Sequence, residues 1–159
     1  MSRTVAANKR AGERVETHVV SRVTELNLVP DDVAIEYDAV ATTAVYPASD
    51  LPMVGLCVVN RGTPVEIKSV VRRMSTGERG RFYLRPEQHK ALVDAGGVYL
   101  FAVCTSDDRD VLALKIVPAT VLEDLIPSWL DGGDGRSDYS QLAWTNVFDV
   151  CEVEERGRP

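Results

Sequence analysis

Lysine, cysteine and long apolar runs are all scarce in this sequence of 159 residues. The three cysteines, Cys57, Cys104 and Cys151, are far apart and set among apolar residues, so we expect buried reduced thiols rather than disulfides or zinc ligands. No run approaches the roughly 18 apolar residues of a membrane-spanning helix, and the first residues lack the apolar stretch of a secretory signal. We therefore expect a cytoplasmic protein with no membrane partner.

The basic residues are almost all arginine, and they are unevenly distributed. The formal net charge is −6, and 14 of the 18 basic residues are arginine. From Lys68 to Lys90 there are seven basic and two acidic residues, a local charge of +5, so the rest of the chain carries −11. Such a basic segment can bind nucleic-acid phosphates. The arginine-rich, acidic composition is similar to that of proteins from salt-adapted archaea or their viruses.

The length indicates one domain with a single substantial core. Helically spaced valines predict an opening helix from Asn8 to about Leu26. β-Branched and aromatic residues predict one or two strands within residues 33–47, and a hairpin follows, with arms at 53–59 and 64–71.

The second half of the chain alternates helix and strand signals. Pro86 fits the first position of a helix that Gly96 and Gly97 end. Strands are predicted next, at residues 98–104 and 111–117. Thr120 and Glu123 then form a capping box that opens a short helix. These elements predict an α/β fold in which a mixed β-sheet with a central hairpin is flanked by helices.

The chemistry centres on Glu66 and Lys68. Alternate residues of a strand share a face, so these two side chains lie together, opposite Val65 and Ile67. Asp50 precedes the first arm of the hairpin, where a turn can bring its carboxylate near Glu66. Carboxylates are hard ligands for Mg²⁺, which neutralises a scissile phosphate and activates water. Lys68 could orient the attacking water or offset charge on the phosphorane.

The spacing Asp50…Glu66-Ile67-Lys68 resembles the signature of the PD-(D/E)XK nuclease superfamily. Two features depart from that signature: Ser49 precedes the aspartate where the family has proline, and the interval to Glu66 is long. Asp38 is therefore the alternative to Asp50.

Two further stretches resemble archaeal Holliday-junction resolvases. The opening Lys9–Glu16 looks like their first helix, in which a glutamate completes the metal site. Here that glutamate is Glu16, with Glu13 as the alternative. Arg81–Gln88 and the strand after it resemble the helix and strand that follow the ExK strand in these enzymes, which turns Gln88 toward the site.

The resemblance implies a restriction-endonuclease-like core at about residues 8–117, within one nuclease-like domain over residues 1–159. The C-terminal extension, about residues 118–159, has no counterpart. The implied catalytic residues are Asp50, Glu66, Lys68, Glu16 and Gln88. The implied metal ligands are Asp50, Glu66, Ile67 and Glu16, for Mg²⁺ with Mn²⁺ also supporting activity. Five arginines beside the site are expected to contact the DNA backbone: Arg72, Arg73, Arg79, Arg81 and Arg85.

The function expected from these features is a metal-dependent endodeoxyribonuclease, a resolvase of branched DNA acting as a two-fold homodimer. A restriction-type or repair nuclease is the alternative within the class. Outside it, the alternatives are a non-catalytic DNA-binding module that retains the fold and an acidic interaction protein of a virus or plasmid. Intact Asp50, Glu66 and Lys68 favour the enzyme.

Overall fold

The structure is a computed structural model, and it describes residues 59–154 together with residues 15, 18–20, 23, 26–28, 37–41 and 54. Residues 15 and 18–20 are helical, and α1 denotes these four residues. The strands of the described chain are β1 (Leu26–Leu28), β2 (Ala39–Ala41), β3 (Pro64–Val71), β4 (Arg81–Leu84), β5 (Val98–Cys104), β6 (Val111–Pro118) and β7 (Ser140–Ala143). The helices are α2 (Pro86–Asp94), α3 (Ala119–Leu122) and α4 (Val150–Glu154), with 3-10 turns at Glu123–Leu125 and Trp144–Asn146.

A mixed sheet organises these elements. Its five described strands are in the order β1-β2-β3-β5-β6, and β3 pairs with β5 in parallel while the other pairs are antiparallel. Strands β4 and β7 form a separate antiparallel ribbon. The α/β class with a mixed sheet flanked by helices, predicted from the sequence, is therefore confirmed.

Each face of the sheet carries its own apolar cluster. Alternation along β3 and β5 directs successive side chains to opposite faces, as it does in any strand. One face packs against the valines of α1, and its buried residues include Val15, Val19, Val65, Ile67 and Leu100. The other face is covered by the β4–β7 ribbon and the C-terminal segment, with Phe82, Leu84, Tyr99, Phe101 and Trp144 buried there.

Helix α2 begins and ends where proline and glycine predict. Pro86 occupies its first turn, where a missing N–H costs nothing. Gly96 has a φ of +66°, a conformation that favours glycine, and Gly97 donates a 2.8 Å hydrogen bond to the Leu92 carbonyl. A Cβ at Gly97 would lie 2.4 Å from Leu92 Cδ1. Gly96 and Gly97 thus end helix α2 directly before Val98, the first residue of β5.

Several local predictions are corrected. Leu26 begins strand β1, so the opening helix ends before it. The capping box is wrong: α3 begins at Ala119, Pro118 is its N-cap, and Thr120 lies inside the helix. The first arm of the predicted hairpin lies mostly outside the described residues, and the described antiparallel neighbour of β3 is β2.

The cysteines give a mixed outcome. Cys104 is buried and free, as expected for a structural thiol. Cys151 is also free but exposed, so the expectation of burial is wrong for this residue. It lies on the short helix α4, whose only buried residue is Val153. Cys57 lies outside the described residues.

The last part of the chain packs into the body. Strand β7 pairs with β4 from Ser140 to Ala143, and the Trp144 indole Nε1 donates a 3.0 Å hydrogen bond to the Arg72 carbonyl at the end of β3. Phe148 is buried in the same cluster. Within the described residues, no helix is both long enough and apolar enough to cross a membrane.

Candidate active site

The centre of the site lies on β3, the middle strand of the five. Val65 and Ile67 are buried on the face that packs against α1, which leaves Glu66 and Lys68 together on the other face. Lys68 Nζ lies 2.9 Å from Glu66 Oε1. The alternation in the sequence thus produces the adjacent carboxylate and ammonium that it predicts.

Asp38 joins them from the neighbouring strand. It comes directly before β2, and its backbone N–H donates a 3.0 Å hydrogen bond to the Val65 carbonyl. Its carboxylate Oδ2 accepts a 2.6 Å hydrogen bond from the Ile67 N–H. Ala39 pairs with Val65, so one further step of this antiparallel register places Asp38 opposite Glu66. Asp38 is therefore held beside Glu66 by two hydrogen bonds to strand β3, one made by its main chain and one by its side chain.

Helix α2 supplies a third polar group. Gln88, in the first turn of that helix, accepts a 3.0 Å hydrogen bond from Lys68 Nζ through Oε1. The ammonium consequently lies between the Glu66 carboxylate and the Gln88 amide oxygen. Gln88 faces the site, as the resemblance implies.

Burial perturbs both carboxylates. Glu66 is only 2% exposed, and this burial raises its pKa to about 8, although the Lys68 charge opposes the shift and the Asp38 charge adds to it. Burial also raises the pKa of Asp38, against the Ile67 hydrogen bond and the Lys68 charge, which lower it. Both carboxyl groups therefore resist ionisation. A bound cation would lower the free-energy cost of ionising them side by side.

The donor set fits a divalent metal ion. Glu66 Oε2 is buried and has no hydrogen-bond partner among the described residues, while its other oxygen is bound to Lys68. Carboxylate oxygens are the ligands that Mg²⁺ and Mn²⁺ prefer. The described part of the chain contains no group of three His, Cys, Asp or Glu residues that could hold a metal, so Asp38 and Glu66 are a pair there.

The remaining predicted ligands have different outcomes. Asp50, Glu16 and Glu13 lie outside the described residues, so their roles stay predictions. The Ile67 side chain is buried on the opposite face of the sheet, which leaves only its main chain beside the site.

The five arginines are not equivalent. Arg73 pairs with Glu154 at 3.3 Å, and Arg72 and Arg79 are half-buried, the latter with its guanidinium 5.8 Å from the centre of the Trp144 ring. Arg81 and Arg85 are exposed on the outer face of β4 and just after it. Of the set, these last two are the most available to DNA phosphates.

Sequence reasoning missed two residues beneath the site. Tyr99 is the parallel-strand partner of Glu66, and its hydroxyl lies 2.9 Å from Nδ1 of the buried His89 on α2. Burial and the nearby Glu66 charge raise the pKa of Tyr99, while burial lowers that of His89. The sequence signal for this contact is the tyrosine within the apolar run Val98–Cys104. A buried tyrosine usually finds a hydrogen-bond partner, so its position predicts a polar group nearby.

The comparison with family models identifies the chain. The model of the PD-(D/E)XK nuclease superfamily domain matches residues 1–149. The chain therefore belongs to the PD-(D/E)XK nuclease superfamily. The match extends beyond residue 117 and includes β7. No curated protein matches the chain in a sequence search, and no solved structure matches it either.

Proposed function

We propose that this protein is a magnesium-dependent DNA endonuclease whose site is built from Asp38, Glu66, Lys68 and Gln88. The observation that carries the proposal is the position of Lys68 Nζ, 2.9 Å from Glu66 Oε1 and 3.0 Å from Gln88 Oε1, beside the half-buried carboxylate of Asp38. This arrangement fits a family whose members act as nucleases.

Asp38 and Glu66 would hold the divalent cation, with Glu16 as a further carboxylate ligand and Asp50 as the alternative to Asp38. When bound, the cation supplies positive charge to the scissile phosphate and makes water more acidic. Its charge would also favour the ionised form of both carboxylates, and so offset the burial that raises their pKa.

The protein's own groups then position the reactants. Hydrolysis forms a bond from a water oxygen to phosphorus and breaks the bond to the leaving sugar oxygen, which takes up a proton. Lys68 donates hydrogen bonds to the attacking water or to a phosphate oxygen, and its charge offsets the negative charge that develops there. Gln88 restricts the direction of the Lys68 ammonium, because it accepts one of its three N–H groups.

Branched DNA is the substrate that we propose for this activity, cut by a two-fold dimer whose paired sites act on paired strands. The similarity of the opening segment and of residues 81–88 to archaeal Holliday-junction resolvases supports this choice. Mass measurement by light scattering during gel filtration tests the dimer, and a monomer at working concentration would contradict it.

The decisive experiment is cleavage of a labelled four-way junction, a linear duplex and a single strand in Mg²⁺, Mn²⁺ or EDTA. Wild type is compared with Glu66→Ala and with Glu87→Ala, a control that removes an exposed carboxylate from the adjacent helix. We expect metal-dependent cutting that is lost in Glu66→Ala and kept in Glu87→Ala, with the junction preferred. Binding without cleavage under every condition would instead favour a non-catalytic DNA-binding module.

A further inference from the structure

The outer face of strand β4 carries two arginines with a tyrosine between them. Residues 81, 83 and 85 alternate with the buried Phe82 and Leu84, so their side chains share the exposed face. Inside, Phe82 packs against Phe101, with ring centres 4.5 Å apart. The apolar side therefore anchors the β4–β7 ribbon on the sheet, and the opposite side is turned to solvent.

Tyr83 is paired with a second tyrosine on that face. Its ring lies 5.1 Å from the ring of Tyr139 at an interplanar angle of 7°, and Tyr83 still has 44% of its surface exposed. Tyr139 immediately precedes β7, the antiparallel partner of β4. We call this pair the tyrosine platform. Tyr139 itself is half-buried, so Tyr83 contributes most of the exposed ring surface of the platform. That surface is flat and apolar, and a planar ligand can stack on it.

Positive charge accompanies the tyrosine platform. The Arg85 guanidinium carbon lies 6.0 Å from the Tyr83 ring centre, and Arg81 is exposed two residues away on the same side. Arg85 is also the N-cap of α2, and Gln88 in the first turn of that helix binds Lys68. Tyr83 of the platform and Gln88 of the candidate active site are thus separated along the chain by only four residues, 84–87.

We propose that the tyrosine platform stacks unpaired bases of the DNA substrate, while Arg81 and Arg85 bind the flanking phosphates. The inference rests on the proposed function and specifies what the site recognises in branched DNA, namely unpaired bases at an opened branch point, and likewise at a flap or a fork. Aromatic faces beside cationic side chains are the chemistry of single-strand recognition, whereas a closed duplex hides the faces of its bases.

The test measures binding separately from cleavage. Fluorescence anisotropy in EDTA reports affinity for a 15-nucleotide single strand, a 15-base-pair duplex and the same duplex with a single-stranded tail. Wild type is compared with Tyr83→Leu, Tyr83→Phe, Arg85→Ala and, as a matched control, Arg61→Ala, which removes an exposed arginine that is not among the five expected to contact DNA. Duplex cleavage in Mg²⁺ is assayed in parallel as the test of the nuclease itself.

We expect Tyr83→Leu to weaken binding of the single strand and the tailed duplex about tenfold, with little change for the blunt duplex. Tyr83→Phe keeps the ring and should bind like wild type. Arg85→Ala should weaken binding to every probe and reduce the dependence on salt, and Arg61→Ala should have a smaller effect.

Equal affinity of wild type and Tyr83→Leu for the single strand, or an equal loss on the blunt duplex, would overturn the inference. A single strand containing 2-aminopurine adds a measurement on wild type alone, since stacking on the platform should change its fluorescence, and no change would also overturn it. Loss of cleavage on every substrate, with Tyr83-dependent binding retained, would remove the nuclease proposal and leave the platform standing.

Discussion

Gln88 on helix α2 accepts a 3.0 Å hydrogen bond from Lys68 on strand β3, so a residue 20 positions along the chain helps to orient the lysine ammonium group. The other described partner of that ammonium is Glu66 at 2.9 Å. Because a rigid helix holds the amide, the direction of the lysine is fixed before substrate binds. Fixed orientation of a charged group is a main source of rate enhancement in enzymes.

Replacement of Gln88 should therefore affect turnover more than binding. We expect Gln88→Ala to lower kcat by about ten- to a hundredfold, the range typical of groups that orient site residues, with KM for DNA nearly unchanged. Gln88→Glu keeps an acceptor oxygen and should recover part of the rate. Steady-state kinetics on a labelled substrate measure both constants. An increase in KM with kcat preserved would show that Gln88 contacts DNA instead.

Substitution of Asp38 discriminates between the two aspartates. Asp38→Asn keeps an oxygen that can accept the Ile67 N–H but removes the charge, so the fold should survive while Mg²⁺ affinity and cleavage fall at least tenfold. Calorimetric titration with Mg²⁺ and cleavage assays on Asp38→Asn and Asp50→Asn make the comparison. Loss of metal binding in Asp50→Asn alone would assign the ligand to Asp50.

Part of this site could be predicted from the sequence, because the signals for it lie within single strands and helices. Alternation within one strand is enough to place Glu66 and Lys68 together, and the resemblance to known nucleases points to Gln88. Pro86 and Gly96 likewise mark the ends of α2 through their own backbone preferences.

The positions of Asp38 and Tyr99 in the site depend on pairing between strands that are distant in the sequence. Asp38 reaches Glu66 because β2 pairs with β3, and a strand of three residues has no periodicity from which that partner could be inferred. Tyr99 lies beside Glu66 only through the parallel register of β3 and β5. Local patterns show that such residues are buried, but tertiary structure decides what they contact.

The raised pKa of Glu66 predicts how stability changes with pH in the cation-free protein. Folding raises this pKa from 4.5 to about 8, so between these values the folded chain keeps a proton that the unfolded chain releases. Stability should therefore fall as pH rises through this window, by up to about 1.4 kcal/mol per pH unit for one proton. The raised pKa of Asp38 acts in the same direction.

Urea unfolding in EDTA at pH 5, 6.5 and 8 measures this dependence. Glu66→Gln cannot titrate, and we expect its stability to fall less steeply than that of wild type over the same range. Added Mg²⁺ should stabilise wild type most at the highest pH, because a metal binds the ionised carboxylate. Parallel pH profiles for the two proteins would contradict the shift in Glu66.

Substitution of Trp144 tests whether the rest of the fold requires the packing of residues 140–154. Its side chain is fully buried, and its Nε1 donates a 3.0 Å hydrogen bond to the Arg72 carbonyl at the end of β3. We expect Trp144→Ala to lower the free energy of unfolding by about 3–5 kcal/mol, since it leaves a large cavity and removes the shorter of the two hydrogen bonds that the Arg72 carbonyl accepts. Trp129→Ala is the matched control, because Trp129 is 38% exposed and should cost much less. Chemical denaturation followed by circular dichroism measures both, and similar losses for the two variants would mean that residues 140–154 pack more loosely on the sheet than the buried position of Trp144 indicates.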